Sequence, residues 1–173
     1  MGGQTTAPQS MHVRLMTEAD WPQVAAIYEQ GIVSHKATFA QQAPEYAVWD
    51  ADHHPHTRLV AETEDGTITG WVAIAPSFAR AVYNGVAEIS IYIHDDYQHQ
   101  GVGTMLLEAA HAESERNGIW TLEALIFADN EPSLKLFRKC GYTDLGVRKR
   151  LGYDTVLQKW RDVAMLERRS PNI

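Results

Sequence analysis

The chain has 173 residues, of which 45% are hydrophobic and 21% are charged. This length and composition are typical of a single globular domain and exclude disordered, collagen-like and coiled-coil chains. With 15 basic against 22 acidic residues, the formal net charge is −7, which argues against a surface that coats nucleic acid. The single cysteine, Cys140, excludes an intrachain disulfide.

The first ten residues are polar and small, without the apolar core of a signal peptide. No apolar run in the sequence approaches the ~20 residues that a membrane-spanning helix needs. We therefore expect a cytoplasmic protein without a membrane or nucleic-acid partner. Residues 1–11 are predicted to form a flexible tail, 12–167 the single domain, and 168–173 a second short tail.

In the first half of the chain, hydrophobic periodicity predicts a strand, two helices and a β-hairpin. Asp65-Gly66 is typical of the tight turn of such a hairpin. The predicted elements are a strand over 13–16, a helix capped by Thr17 or Asp20, a short helix over 44–51, and strands over 59–62 and 67–75.

The second half alternates strands and helices. The predicted elements are strands over 86–93 and 119–127, a helix after Gly103, a helix from Asn130 to Gly141, and strands over 142–150 and 155–166. The hairpin implies an antiparallel half of the sheet, and the alternation from Val86 onward implies a mostly parallel half. The predicted fold class is therefore mixed α/β, a seven-stranded sheet with helices on both faces.

The segment Gln98-His99-Gln100-Gly101-Val102-Gly103-Thr104 connects a predicted strand to a helix. A glycine turn in this place directs backbone N–H groups and the helix dipole at an anion, and so favours phosphate binding. The lysine of a P-loop and the third glycine of a dinucleotide fingerprint are both missing after Gly103. The alternative is a plain strand-to-helix turn with two glycines.

A second segment, an Asn130-led helix ending in Gly141-Tyr142, follows one helix and one strand later. The pattern Gln-x-x-Gly-x-Gly with this helix behind it resembles the two cofactor segments of the GNAT superfamily of N-acetyltransferases. Shorter segments are similar to its phosphinothricin and methionine sulfone acetyltransferase branch, over roughly residues 12–167: 17–20, 37–39, 87–93, 130–131 and 160–163. The resemblance implies the acyl-CoA N-acyltransferase fold, acetyl-CoA as co-substrate, no metal, and a homodimer.

Glu88 is the only acidic residue between Ile68 and Ile93, and it lies in an otherwise apolar strand. Burial raises the pKa of a carboxyl group and makes it a better proton acceptor, so Glu88 is a candidate general base. A glutamate on the solvent side of the strand is the alternative. The branch resemblance implies the first role, because a glutamate at this strand position serves there as the base.

The chain departs from the family at Phe137. In the branch this position often holds a histidine that assists the base. In the wider superfamily it commonly holds a tyrosine that can protonate the leaving thiolate. Phenylalanine can do neither. Tyr92 and Tyr142 are possible substitutes for the missing acid, with packing as the competing interpretation for both.

The resemblance also implies a set of cofactor contacts. Backbone groups of the glycine turn would hold the pyrophosphate, and the strand before it would line the pantetheine arm. The predicted cofactor-binding residues are Tyr92, Ile93, Gln98, Gln100, Gly101, Val102, Gly103, Thr104, Asn130 and Ser133. For Asn130 a helix N-cap is the alternative, and the two roles are compatible.

Substrate contacts are expected from two loops, one with Thr38 and Phe39 and one with Arg80 and Tyr83. The last two match an Arg-x-x-Tyr spacing in the branch, and an arginine there could clamp an α-carboxylate bidentately. A surface arginine and simple loop packing are the alternatives.

Two further groups of residues are given no role in chemistry. His53, His54 and His56 are predicted to be a solvated cluster and not a zinc site, because no matching Cys or His spacing occurs elsewhere. Cys140 is interpreted as a packing residue, since a helix C-terminus disfavours its thiolate.

The sequence therefore predicts an acetyl-CoA-dependent N-acetyltransferase. It would transfer the acetyl group directly to the amine of a small amino-acid-like substrate such as phosphinothricin or methionine sulfone or sulfoximine. One alternative keeps the fold and changes the amine to a protein N-terminus, a polyamine or another xenobiotic. The other is a non-catalytic acyl-CoA-binding module.

Overall fold

Seven strands form one sheet in the computed structural model, which describes residues 10–173. In chain order the strands are β1 (Met11–Leu15), β2 (Arg58–Thr63), β3 (Ile68–Pro76), β4 (Val86–Ile93), β5 (Thr121–Phe127), β6 (Thr143–Asp154) and β7 (Lys159–Arg169). The α-helices of this part of the chain are α1 (Trp21–Ser34), α2 (Tyr46–Asp52), α3 (Val102–Arg116) and α4 (Glu131–Lys139). The predicted mixed α/β class with seven strands is confirmed.

The spatial order of the strands is β1-β2-β3-β4-β5-β7-β6, and each neighbouring pair is antiparallel except β4 and β5. The expectation of a mostly parallel half is therefore wrong. After α4 the chain enters β6 at the outer edge of the sheet and returns through a hairpin as β7, so β7 reaches β5 from the opposite direction. Local periodicity predicts strands but does not predict which strand each one pairs with.

The one parallel pair in the described residues is short. β4 and β5 are in register at Val86–Thr121, Ala87–Leu122 and Glu88–Glu123, and they separate beyond that point. The side of β4 that faces β5 is therefore unpaired from Ile89 to Ile93. Unpaired strand edges present backbone N–H and C=O groups to other partners. We call the gap between the two separating strands, beside residues 89–93, the cleft.

Apolar cores lie on both faces of the sheet. On one face α3 and α4 pack Leu106 and Phe137 against Ile89 and other residues of β4, β5 and β7. On the other face α1 and α2 pack Val24 and Trp49 against β2 and β3. Burying an aliphatic or aromatic side chain of this size stabilises a fold by about 1.5–3 kcal/mol. The helices thus fix β4, with its open edge, between two cores.

The predicted domain boundaries fall inside strands. Met11 belongs to β1, and β7 extends to Arg169, beyond the predicted boundary at 167. Of the predicted tail at 1–11, residues 1–9 lie outside the described residues. No helix of residues 10–173 is both long and apolar enough to cross a membrane.

The predicted last strand over 155–166 begins later than expected. Residues 155–158 form the turn of the β6–β7 hairpin, in which the Asp154 carboxylate accepts hydrogen bonds from the backbone N–H groups of Val156 and Leu157, at 3.0 and 2.9 Å. A carboxylate that binds the backbone in this way competes with strand formation. The hairpin brings this turn back to the loop after α1.

Candidate active site

Glu88 lies where β4 and β5 separate. It is half-buried on a central strand, and its side chain is on the face that α1 covers, because Ala87 and Ile89 point into the core under α3. Burial raises the pKa of Glu88 above its ordinary value, and the negative charge of Glu123 raises it further. Its half-buried position on a central strand counts against the alternative of a solvent-side edge glutamate. A half-buried carboxylate at an open cleft is suited to take up a proton.

Glu123 was not among the residues that the sequence singled out. It is the parallel-register partner of Glu88 and is also half-buried. A sequence signal for it exists, since Glu123 is the only charged residue in the predicted strand over 119–127, as Glu88 is in its own strand. What the sequence does not contain is the pairing that makes the two glutamates neighbours.

An aromatic wall stands beside Glu88 on the same face. The Tyr92 ring centroid lies 4.8 Å from that of Tyr28 and 5.1 Å from that of Trp71. Burial raises the pKa of Tyr92 above its ordinary value. Burial raises the pKa of Tyr28 as well, and the nearby Thr38 side chain opposes the increase at both phenols. Tyr92 thus packs as a wall of the site, and Thr38 of the predicted substrate loop reaches it.

Phe39, the second residue predicted in that loop, is partly exposed and packs on the far side of the cleft. Its ring lies edge-on to Phe127 of β5, with centroids 4.8 Å apart. It also covers Gly152 of β6, where an added Cβ would lie 2.6 Å from the ring. A cavity of about 330 Å³ separates this loop from the β6–β7 hairpin, lined by Thr38, Phe39, Gln41, Tyr153, Asp154 and Thr155 among others. The substrate loop therefore has open space beside it.

Arg80 and Tyr83 lie in the loop between β3 and β4 and are exposed. Arg80 precedes a short 3₁₀ turn over Ala81–Tyr83, and the Tyr83 ring packs on Phe78 at 5.0 Å between centroids. This loop ends at β4 only a few residues before Glu88. Its arginine stands in solvent at the edge of the same region, and its binding of a carboxylate stays a prediction.

In the predicted pyrophosphate turn, residues 98–104, the backbone before α3 is left available for a ligand. Gly101 adopts φ of +80° immediately before α3, a conformation that favours glycine. The Gln98 amide donates to the Ile93 carbonyl at 2.9 Å, and the Gln100 amide donates to the Asp96 carbonyl at 3.2 Å. Both side chains form hydrogen bonds within the loop and do not cap α3, so the N-terminus of α3 remains available for an anion.

The first turn of α3 is positioned by α4. Gly103 is buried, and an added Cβ would lie 2.7 Å from a δ-carbon of Leu136. Val102 is buried as well, so at positions 102 and 103 only backbone groups are suited to a phosphate, and Thr104 is half-buried. The glycine at 103 permits the close approach of the two helices that carry the two predicted cofactor segments.

The amide of Asn130 makes two hydrogen bonds in the structure. Oδ1 accepts from the backbone N–H of Ser133 at 3.4 Å, and Nδ2 donates to the carbonyl of Lys36 at 3.1 Å. The N-cap interpretation is confirmed. The second bond ties the start of α4 to the substrate loop. Contacts of Asn130 and Ser133 with the pantetheine arm stay predictions.

Phe137 and Tyr142 belong to the core and not to the cleft. Phe137 is 2% exposed and packs edge-on against Tyr142, with centroids 4.8 Å apart. The Tyr142 hydroxyl lies 3.0 Å from Nε2 of buried His111. Burial raises the pKa of Tyr142. The packing interpretation of Tyr142 is therefore supported over its use as an acid.

The three histidines near α2 are packed, and the expectation of a solvated cluster is wrong. His53 stacks on Trp49 with centroids 4.2 Å apart, and His54 stacks on His56 at 4.7 Å. Burial lowers the pKa of all three. Residues 10–173 contain no group of three or more His, Cys, Asp and Glu side chains that could hold a metal ion. Burial raises the pKa of the Cys140 thiol, in agreement with a packing role.

The splayed β4–β5 pair, the glycine turn before α3 and the Asn-capped α4 define an acyltransferase fold. The sequence model of the acetyltransferase (GNAT) family matches residues 21–142. The chain belongs to this family and is an acetyl-CoA-dependent N-acetyltransferase.

The chain is similar to named relatives along most of its length. It is 38% identical over 141 residues to a Bacillus subtilis (strain 168) protein provisionally named phosphinothricin acetyltransferase YwnH, covering 79% of this chain and 86% of that protein. It is 29% identical over 164 residues to the phosphinothricin N-acetyltransferase of Streptomyces viridochromogenes, covering 91% and 87%.

A solved structure shares the fold. The GNAT superfamily phosphinothricin acetyltransferase from Sinorhizobium meliloti, in complex with acetyl-CoA, superposes with a TM-score of 0.82 at 23% identity. The match covers 92% of this chain and 88% of that one.

Proposed function

We propose that the protein transfers an acetyl group from acetyl-CoA directly to the amine of a small amino-acid-like substrate, with Glu88 as the general base. Phosphinothricin and methionine sulfone or sulfoximine are the substrate types. The observation that carries the proposal is the half-buried Glu88 carboxylate, with a raised pKa, at the point where β4 and β5 open. The names of the relatives support the substrate class.

The cofactor would lie along the cleft. Backbone N–H groups of residues 98–104 would hold the pyrophosphate at the N-terminus of α3. The unpaired edge of β4 at Tyr92 and Ile93 would hydrogen-bond the pantetheine arm, with Asn130 and Ser133 on the opposite side. This path would bring the thioester end of the arm toward Glu88, because Glu88 lies on β4 together with Tyr92 and Ile93.

The chemistry then needs one base. Glu88 takes a proton from the substrate ammonium, and the freed nitrogen lone pair attacks the thioester carbonyl carbon. The new C–N bond forms, the C–S bond breaks, and the electron pair leaves on the coenzyme A sulfur. Phe137 supplies no proton, so the second proton, which the attacking nitrogen loses as it becomes an amide, passes through water to the departing thiolate or to the solvent. A thiolate is a tolerable leaving group, and the reaction therefore does not depend on a protein acid.

The substrate would be held by the two flanking loops. Arg80 would bind an α-carboxylate, with Tyr83 beside it, while Thr38 and Phe39 would contact the rest of the molecule. Arg80 is exposed and makes no ion pair with another described residue, so its guanidinium is available for a ligand.

We further propose that the protein acts as a cytoplasmic homodimer. Strand β6 and the start of β7 expose five large apolar side chains: Leu145, Val147, Leu151, Tyr153 and Trp160. A row of this kind on an edge strand favours pairing with a second chain. A cytoplasmic location fits the use of acetyl-CoA.

The test is release of free thiol from acetyl-CoA across a panel of amines. The panel contains amino acids, their sulfone, sulfoximine and phosphinate analogues, a polyamine and a peptide with a free N-terminus. We expect turnover with the analogues, and we expect Glu88→Gln to lower it by about 10²-fold or more while acetyl-CoA still binds. Unchanged turnover in Glu88→Gln would reject Glu88 as the base.

One observation favours a second candidate substrate. Glu123 places a second carboxylate beside Glu88, and acidic residues suit a polyamine. Arg80 favours an anionic substrate instead. Preferential turnover of the polyamine in the panel would decide for this candidate, and binding of acetyl-CoA without thiol release on any amine would indicate a non-catalytic module.

A further inference from the structure

We propose that Glu123 is a second functional carboxylate of the acceptor site, a positioning residue that acts on the reaction through Glu88 by holding a like charge beside it. The inference rests on the proposed function, because it gives a role to a neighbour of the proposed base. It is carried by the pairing of β4 with β5 and by the observation that no lysine, arginine or histidine within residues 10–173 forms an ion pair with either carboxylate.

The pairing makes the two side chains neighbours. Glu88 and Glu123 occupy the last parallel position before the strands separate. Paired residues point to the same face of a sheet, and adjacent strands are about 4.8 Å apart. Ala87 and Leu122, which precede the two glutamates, both point into the core under α3, so both glutamates point to the α1 face.

The surroundings leave the like charges uncompensated. Within residues 10–173, neither Glu88 nor Glu123 takes part in an ion pair with a lysine, arginine or histidine. Across β3 the register partner of Glu88 is Ala75, which carries no charge. Along β4, the charge of Glu88 acts on the titratable Tyr92. From α1, Tyr28 packs against Tyr92, and burial raises the pKa of both phenols, so both are neutral at pH 7. On the β5 side, Glu123 is the charged neighbour, with Glu167 of β7 one strand further away.

The second carboxylate affects how readily Glu88 accepts a proton. A carboxylate of ordinary acidity is a weak acceptor for an ammonium proton, and a general base works best when its pKa approaches the working pH. A second negative charge nearby favours the protonated form of Glu88. The Glu123 charge therefore raises the pKa of Glu88 beyond the increase that burial alone causes.

The chain offers a matched control. Glu167 is the register partner of Glu123 on the other side, so it is the same residue type on the same face. It lies two strand spacings from Glu88, about 10 Å, where salt screens most of its effect. Glu123→Gln and Glu167→Gln remove the same charge at the two distances.

The experiment is a ¹³C NMR titration of glutamate carboxyls in the full chain, with the Glu88 signal assigned by its loss in Glu88→Gln. We expect the Glu88 midpoint to fall by more than about 0.3 pH units in Glu123→Gln, a twofold change in protonation ratio. We expect it to move less than that in Glu167→Gln. The acid limb of kcat/KM for the amine should shift to lower pH by the same amount in Glu123→Gln.

An unchanged Glu88 midpoint in Glu123→Gln, or an equal shift in Glu167→Gln, overturns the inference. Either result leaves the proposed reaction standing if the wild type acetylates an amine and Glu88→Gln is slow. Conversely, a selective shift in Glu123→Gln together with no turnover on any amine supports the pairing and counts against the proposed reaction.

Discussion

Arg161 of β7 donates a hydrogen bond from Nη1 to the carbonyl oxygen of His35 at 3.0 Å, across 126 residues of sequence. His35 ends α1 with a left-handed φ of +55° and begins the loop that carries Thr38 and Phe39. The same guanidinium donates to the Asp154 carboxylate at 2.9 Å and lies 3.8 Å above the Phe127 ring centre. One buried cation thus joins the substrate loop, β5 and the β6–β7 hairpin.

Replacing Arg161 should destabilise the whole fold. Arg161→Gln leaves the Asp154 carboxylate, 8% exposed at its side chain, without its cation. Breaking a buried ion pair from one side is strongly unfavourable, so we expect Tm to fall by about 10 °C in thermal unfolding. Arg138→Gln is the control, because the Arg138–Asp144 pair is exposed and should cost less than about 3 °C. Equal losses in the two variants would contradict the role given to Arg161.

The long-range contacts of Arg161 mark the limit of what the sequence predicts. Glu88 and the glycine turn at Gly101 are visible because their signals are local, a charge in an apolar strand and a turn before a helix. The neighbour of Glu88 is different. Glu123 comes 35 residues later in the sequence, and only the sheet pairing brings it beside the base. The position of β7 between β5 and β6 likewise cannot be predicted from local periodicity, because it depends on the hairpin that reverses the chain after β6.

The glycine turn can be tested by a pair of matched substitutions. Gly101 and Gly118 flank α3 with φ of +80° and +81°, and an added Cβ at either meets nothing within 4 Å. Each change to alanine should therefore cost about 1 kcal/mol of unfolding free energy through backbone strain alone. Because only Gly101 lies at the predicted pyrophosphate site, Gly101→Ala should also weaken acetyl-CoA binding by about 10-fold in calorimetry. Equal affinities of the two variants would move the pyrophosphate away from this turn.

The proposed carboxylate-binding role of Arg80 can be tested by the KM of the substrate and not by the stability of the protein. Arg80→Ala should raise KM about 10-fold for an amino-acid-like substrate, since a bidentate pair with the α-carboxylate is lost. For the matching amine without that carboxylate, KM should stay within about twofold of the wild-type value. Steady-state thiol release with both substrates measures the difference. A similar rise for both would show that Arg80 acts on the loop and not on the carboxylate.

The buried His111–Tyr142 pair makes stability depend on pH. Burial, as the larger cause, and the nearby charge of Arg168 together lower the pKa of His111 from an ordinary value of 6.5 to about 4, against the opposing effect of Glu115. Between these two values the unfolded chain binds more protons than the folded one, so the free energy of unfolding falls as pH falls from about 6.5 to 4. At pH 5 the loss from this one group is about 2 kcal/mol relative to neutral pH.

His111→Gln should remove that part of the pH dependence, because glutamine keeps a polar partner for the Tyr142 hydroxyl but does not titrate. Urea unfolding at pH 7 and pH 5 measures it: the drop between the two pH values should be smaller by about 2 kcal/mol in His111→Gln than in the wild type. Tyr142→Phe keeps the histidine and should keep the pH-dependent drop, although it is less stable at both pH values. The same drop in His111→Gln as in the wild type would show that His111 is protonated in the folded chain at pH 5.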